Sequence, residues 1–126
     1  MSPKLLVVDD SAMSRRILRR ILEAAGYTVV EASDGMSALE SYFVEKPDLV
    51  LLDLVMAGMY GLDVLAKLRE LHPGVKVLIA SADIQSSTRE LVDEAGAVGF
   101  VNKPFSATEV TSAVERALVG SDHGTD

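Results

Sequence analysis

The chain has 126 residues, a length that fits a single hydrophobic core. Its composition, 48% hydrophobic and 25% charged, is typical of a globular domain and excludes disordered, collagen-like and disulfide-rich classes. The net charge of −7 opposes direct nucleic-acid binding, and the absence of cysteine excludes a thiol nucleophile or thiolate metal site.

The chain opens with an apolar run of four residues, 5–8, that two acids, Asp9 and Asp10, bring to an end. This run is too short for a signal peptide or a membrane span. We therefore expect a cytoplasmic protein that does not bind membranes.

Short apolar runs predict strands that are covered on both faces, because they lack the polar alternation of a sheet with one wet face. These runs are residues 5–8, 49–52, 75–80 and 98–101. Residues 27–32 form a more polar run, which predicts a strand at the edge of the sheet.

Helical periodicity fills the intervals between the strands. The positions predicted to face the core are, in chain order, Ile17, Leu18, Ile21, Leu22, Ala25, Leu39, Phe43, Leu62, Leu65, Leu68, Leu71, Leu91, Val92 and Ala95. Arg15, Arg16, Arg19 and Arg20 form the opposite face of the first helix, where we expect solvent or an acidic partner.

Several residues mark helix ends. Asp34 begins the second helix and Pro47 lies beyond its end, and His72 with Pro73 ends the third. Ser86, Ser87 or Thr88 caps the fourth. The fifth opens with a capping box from Ser106 to Glu109, and Phe105 and Val110 have the spacing of a hydrophobic staple.

Strands that alternate with helices predict a doubly wound α/β fold with a five-stranded parallel sheet, because each helix serves as a crossover. Open sheets of this kind commonly take the strand order 2-1-3-4-5. Ligands then bind outside the carboxyl ends of the strands, near the boundary between strands one and three.

Polar side chains follow the carboxyl ends of four predicted strands. They are Asp9 and Asp10, then Asp53, then Ser81, then Asn102 and Lys103. Carboxylates in one cleft repel each other unless a cation lies among them. Oxygen ligands without histidine or cysteine favour Mg²⁺, although Asp9 and Asp10 could also simply favour the amino end of the first helix.

Asp53 is the candidate nucleophile, because it directly follows a buried strand. A carboxylate can accept a phosphoryl group as an aspartyl phosphate when positive charge offsets the charge on the transferring group. Lys103 can supply such a charge and the Ser81 hydroxyl can donate to a phosphoryl oxygen.

At these residues the sequence resembles the receiver domain of two-component response regulators, from about residue 4 to residue 118. Residues 8–16 further resemble the stand-alone, chemotaxis-type regulators. The resemblance implies a flavodoxin-like (βα)5 receiver domain over residues 1–120, with a polar tail at 121–126 that we expect to fray.

The resemblance also implies a phosphoryl site. A sensor histidine kinase or phosphotransfer protein would phosphorylate Asp53, and Mg²⁺ would be bound by Asp10, Asp53 and the Val55 carbonyl, with Asp9 acting through water. Lys103 would contact the phosphoryl group, and the bond between Lys103 and Pro104 would be cis. Beyond its own phosphorylation and dephosphorylation, the chain is not expected to be an enzyme.

Ser81 and Phe100 fall on the hydroxyl and aromatic switch positions of the family. The implied mechanism is a population shift in which Ser81 turns toward the phosphoryl group and Phe100 fills the vacated space. The surface of the fourth helix, fifth strand and fifth helix, including Ile84 and Glu90, would then bind a downstream target protein. A monomer or a weak phosphorylation-dependent dimer is expected.

Some positions depart from the family pattern. Ala57 and Tyr60 stand where proline and aspartate are common, and Val55 and Asp83 occupy positions that tune the lifetime of the phosphoryl group. Val55 also argues against an aspartate-nucleophile phosphatase, which needs an acid there. Asp9 and Asp10 argue against a flavodoxin-type cofactor site, because they would repel a phosphate. A degenerate receiver that signals by binding alone is the remaining alternative.

Overall fold

The computed structural model describes residues 2–56, 60–82 and 86–120. The strands are β1 (Lys4–Val8), β2 (Thr28–Ala32), β3 (Leu49–Leu52), β4 (Val77–Ala82) and β5 (Gly99–Lys103). The helices are α1 (Ala12–Ala24), α2 (Gly35–Glu45), α3 (Gly61–Leu71), α4 (Ser86–Glu94) and α5 (Ala107–Gly120). The predicted alternation of strands and helices is confirmed. None of the helices in the described ranges is long and apolar enough to cross a bilayer.

All strand pairs are parallel and the order is β2-β1-β3-β4-β5, as predicted. The more polar β2 lies at an edge. β4 and β5 begin one or two residues later than the apolar runs predict and continue to Ala82 and Lys103. The strands extend past their last apolar residues because parallel pairing continues there, with Ser81 opposite Asn102 and Ala82 opposite Lys103.

The core has two layers because the sheet is covered on both faces. Leu6 and Val8 of β1 pack in the cluster that contains Val64 and Leu68 of α3. Their neighbours in β1 point the other way, into the cluster of Leu18 and Leu22 of α1 and the buried side chains of α5. This arrangement explains why the apolar runs lack polar alternation.

Five residues predicted to face the core are exposed instead, one of them Ala25, which lies just past the end of α1. Ile17 is 41% exposed, Phe43 70%, Leu71 55% and Leu91 53%. In α2 the half-buried Tyr42 packs against the core, and one helical step turns Phe43 away from it. In α4 the buried Val92 takes the core position beside Leu91 in the same way.

The predicted helix starts are supported by side-chain hydrogen bonds. At the predicted start of α2, Asp34 and Ser37 form a reciprocal capping box. At the start of α1, for which the sequence predicted no cap, the Ser11 hydroxyl accepts from the Ser14 amide at 3.2 Å. The Glu109 amide donates to the Ser106 hydroxyl at 3.4 Å, which is the Ser106 half of the predicted box. Phe105 and Val110 belong to one core cluster, as the staple predicts. The side chains of Ser86 and Ser87, and the tail at 121–126, lie outside the described residues.

Only part of the basic face of α1 is exposed to solvent. Arg16 and Arg20 are exposed, as predicted. Arg15 and Arg19 instead reach across to the Glu31 carboxylate of β2, at 2.9 Å and 2.6 Å. These ion pairs connect the first helix to the edge of the sheet.

Gly61 begins α3 at a point where the helix touches the chain that follows β3. Its amide donates to the Leu54 carbonyl at 2.8 Å. A β carbon at this position would overlap the Leu54 Cα and the Asp53 carbonyl oxygen, both of which are main-chain atoms. The close approach therefore requires glycine.

We expect Gly61→Ala to lower the free energy of unfolding by about 2 kcal/mol, because relieving the overlap requires a shift of the main chain. Urea denaturation measures this change. Gly74→Ala is the matched control, since a β carbon there has no heavy atom within 4 Å, and it should stay within about 0.5 kcal/mol of wild type. Equal stability of the two variants would contradict the proposed overlap.

Candidate functional site

Asp53 lies just beyond β3 at the centre of the sheet's carboxyl edge. Its amide donates to the Val8 carbonyl at 3.0 Å, which ties its main chain to β1, and its side chain is buried. Carboxylate atom Oδ1 accepts from the Ser81 hydroxyl at 2.6 Å and from the Val55 amide at 3.3 Å. The other oxygen, Oδ2, lies 3.4 Å from the Lys103 ammonium. Contacts to both oxygens hold the carboxylate in one orientation.

Asp9 is a buried carboxylate at the end of β1. Oδ1 accepts from the Ser11 amide at 2.9 Å, and Oδ2 lies 2.9 Å from the Lys103 ammonium. This second contact is a buried ion pair. Burial and the nearby Asp53 charge together raise the pKa of Asp9, and they outweigh the lowering by the Ser11 amide and Lys103. The ionised form of Asp9 therefore lowers the stability of the folded state.

Lys103 ends β5 and bridges the two buried aspartates. Burial alone would lower the pKa of Lys103, but the contacts with Asp9 and Asp53 outweigh burial and raise it. The ammonium is therefore charged across the neutral pH range. The peptide bond between Lys103 and Pro104 is cis, the isomer that the family resemblance implies.

Asp10 completes a cluster of carboxylates. One oxygen from each of Asp9, Asp10 and Asp53 lies within 4.8 Å of the others, and Asp10 is exposed whereas the other two are buried. Hard oxygen donors at this spacing, with one open side, fit Mg²⁺ that keeps several waters.

The structure thus brings together Asp9, Asp10, Asp53, Ser81 and Lys103, which the sequence predicted to converge. Val55 contributes its amide, and its side chain is exposed. Asn102 does not join them: its side chain is exposed and lines a cavity of about 350 Å³ between α4, β5 and α5. Sequence reasoning also missed Arg15, which donates to the Asp9 carbonyl at 2.7 Å.

Phe100 lies on the face formed by α4, β5 and α5 and lines the same cavity as Asn102. Its side chain is half-buried, and the Arg89 guanidinium lies over its ring, 4.2 Å from the ring centroid. Glu90, the next residue of α4 after Arg89, is exposed. Ile84, Asp83 and Ala57, which the sequence also singles out, lie outside the described residues.

Residues 5–115 match the response regulator receiver domain. The chain therefore belongs to the response regulator receiver family. It is similar to the chemotaxis protein CheY of Thermotoga maritima, with 36% identity over 92% of this chain and 98% of that protein. It is also similar to the sporulation initiation phosphotransferase F of Bacillus subtilis, with 33% identity over 94% and 95% of the two chains.

Solved structures give the same result for the fold. A crystal structure of Vibrio cholerae chemotaxis protein CheY4 superposes with a TM-score of 0.89 at 27% identity, over 94% of this chain and all of that one. The flavodoxin-like (βα)5 fold that the resemblance implies is thereby confirmed.

We expect Asp9→Asn to raise the free energy of unfolding at pH 7 in metal-free buffer, by on the order of 1 kcal/mol. The raised pKa means that the folded state binds the proton more tightly than the unfolded chain, so the ionised form costs stability above that pKa. Below pH 3.8, where both states are protonated, the advantage of the variant should vanish. Urea denaturation in EDTA at both pH values measures the difference.

Asp34→Asn is the control of opposite sign. Hydrogen bonding from the Ser37 amide lowers the pKa of Asp34, so its ionised form stabilises the folded state at neutral pH and its loss should decrease stability. A destabilising effect of Asp9→Asn at pH 7 would contradict the cost assigned to the buried carboxylate.

Proposed function

We propose that the chain is a phosphoryl-accepting receiver of two-component signalling and that Asp53 is the acceptor. The observation that carries this proposal is the environment of the Asp53 carboxylate. Its two oxygens contact the Ser81 hydroxyl and the Lys103 ammonium, and two further carboxylates lie within 4.8 Å. An aspartate with only a structural role at a strand end would not require buried carboxylates close to it, whose like charges destabilise the fold.

In the proposed reaction, a carboxylate oxygen of Asp53 attacks the phosphorus of a phosphohistidine on a sensor kinase or phosphotransfer protein. The new O–P bond replaces the N–P bond, and the imidazole leaves. The Lys103 ammonium, 3.4 Å from Oδ2, would donate to an oxygen of the transferred group. Mg²⁺, when held by Asp9, Asp10 and Asp53, with the Val55 carbonyl as a further proposed ligand, would offset the charge that the phosphoryl group adds.

The proposed switch starts from the hydrogen bond between Ser81 and Asp53. In the described state the Ser81 hydroxyl donates to Asp53 Oδ1 at 2.6 Å. Phosphorylation would remove the carboxylate charge and place negative charge on the phosphoryl oxygens, which would draw this hydroxyl away and open space beside β4. Phe100 of β5 can then move inward, and the surface that contains Glu90 and Phe100 changes for a downstream target.

The role in the cell is proposed from relatives of different kinds. Those similar over nearly their whole length include CheY proteins named for chemotaxis and a phosphotransferase named for sporulation initiation. The chemotaxis-type opening sequence favours a downstream protein that binds the phosphorylated chain over one that takes the phosphoryl group from it. We propose a cytoplasmic protein that works as a monomer or a weak phosphorylation-dependent dimer.

Incubation with acetyl phosphate and Mg²⁺ should add one phosphoryl group to the wild-type chain, visible as a mass increase in intact-protein mass spectrometry. Asp53→Asn should abolish this increase, because an amide oxygen is a poor nucleophile. Asp63→Asn is the matched control, since Asp63 is an exposed aspartate of α3, and it should be phosphorylated like wild type. An unmodified wild-type chain would overturn the proposed function in favour of a degenerate receiver.

Phosphorylation should shift the NMR signals of Phe100 much more than those of Phe43, whose ring is exposed on α2. Ser81→Ala should still accept the phosphoryl group but show a smaller shift at Phe100, because the hydroxyl that links the two residues is missing. The comparison uses acetyl phosphate and Mg²⁺ at saturation. An equal Phe100 shift in the Ser81 variant would contradict the proposed coupling.

A further inference from the structure

The main chain of Asp9 lies at the point where β1 leaves the sheet. Its amide still donates to the Ala32 carbonyl of β2 at 3.2 Å, and its side chain accepts from the Ser11 amide. The Asp9 carbonyl lies beyond the last paired residue of β1, Val8, so the strand ladder offers it no donor. Arg15 supplies one, because its Nη1 atom donates to this carbonyl at 2.7 Å. Half-buried carbonyls of this kind need such a partner.

Glu31 holds the Arg15 side chain through a second hydrogen bond. The Arg15 Nε atom donates to Glu31 at 2.9 Å, and the second oxygen of Glu31 accepts from Arg19 at 2.6 Å. The hydrogen bond from Arg19, followed by that from Arg15, lowers the pKa of Glu31. The Arg15 side chain is only 18% exposed. A planar guanidinium that bonds in two directions has little freedom to rotate, so its position relative to Asp9 is fixed.

The Asp9 carbonyl belongs to the peptide unit that joins Asp9 to Asp10. Fixing this carbonyl fixes the plane of that unit, because the peptide is rigid. The two carboxylates on either side of it are members of the cluster that lies within 4.8 Å. We propose that Arg15 is a positioning residue for the metal site: it holds the Asp9–Asp10 peptide so that both carboxylates face a shared cation. This inference rests on the proposed function.

A simpler reading is that Arg15 contributes only its charge. In that case its removal near a cluster of carboxylates would make the site more negative and bind Mg²⁺ more tightly. Positioning predicts the opposite sign, because a disordered pair of ligands binds the cation more weakly. The sign of the change in Mg²⁺ affinity therefore separates the two readings.

The experiment is isothermal titration calorimetry of the full chain with MgCl₂ at low ionic strength and pH 7. Arg15→Gln should raise the Kd for Mg²⁺ by about tenfold, the lower end of the loss seen when the support of a metal ligand is removed. Arg16→Gln removes the same charge from the neighbouring exposed residue and should leave Kd unchanged or slightly lower. Circular dichroism checks that each variant is folded.

Arg15→Lys is the second variant and keeps the charge. An ammonium cannot bond the Asp9 carbonyl and Glu31 with the geometry of the guanidinium fork, so Kd should rise several-fold here too. If both Arg15 variants bind Mg²⁺ as tightly as wild type, or more tightly, the positioning role is overturned while the metal site stands. If the wild-type chain itself shows no Mg²⁺ binding, the proposed metal site fails instead.

Discussion

The ion pairs of Lys103 with Asp9 and Asp53, at 2.9 Å and 3.4 Å, are the interaction on which the carboxyl edge of the sheet depends. They connect the ends of three strands, although β5 is separated from β3 by β4. Two strand spacings, ~10 Å, separate β5 from β3, and three, ~14 Å, separate it from β1, so the lysine reaches both aspartates only by lying along the edge. Without this cation, buried carboxylates of like charge would face each other directly.

The same edge combines rigid and movable parts. Main-chain bonds from Asp9 to β2 and from Asp53 to β1 fix both aspartates on neighbouring strands. Ser81, by contrast, contacts Asp53 through a hydroxyl that can rotate at little cost. The proposed signal therefore begins at a side chain whose hydrogen bond can change partners while the sheet stays intact.

Much of this structure is predictable from sequence, for a physical reason. Strands covered on both faces must be apolar throughout, and parallel strands bring their carboxyl ends to one edge, so Asp9, Asp53 and Ser81 could be placed together before any coordinates. Exposure within the helices was less predictable. Phe43 and Leu91 are apolar, but the adjacent Tyr42 and Val92 occupy the core positions, and periodicity alone does not decide between neighbours. The role of Arg15 depends on a main-chain carbonyl, which carries no signal in the sequence.

The contact between Arg89 and Phe100 affects how much signal the unphosphorylated protein would give. If Phe100 must leave the guanidinium to move inward, the contact favours the resting arrangement by ~0.5–1 kcal/mol, or about a two- to fivefold change in the ratio of the two states. Background output is then set partly by an arginine that has no part in phosphoryl chemistry. Evolution, or a designer of biosensors, could retune the threshold of the signal at this surface position and leave the chemistry of Asp53 untouched.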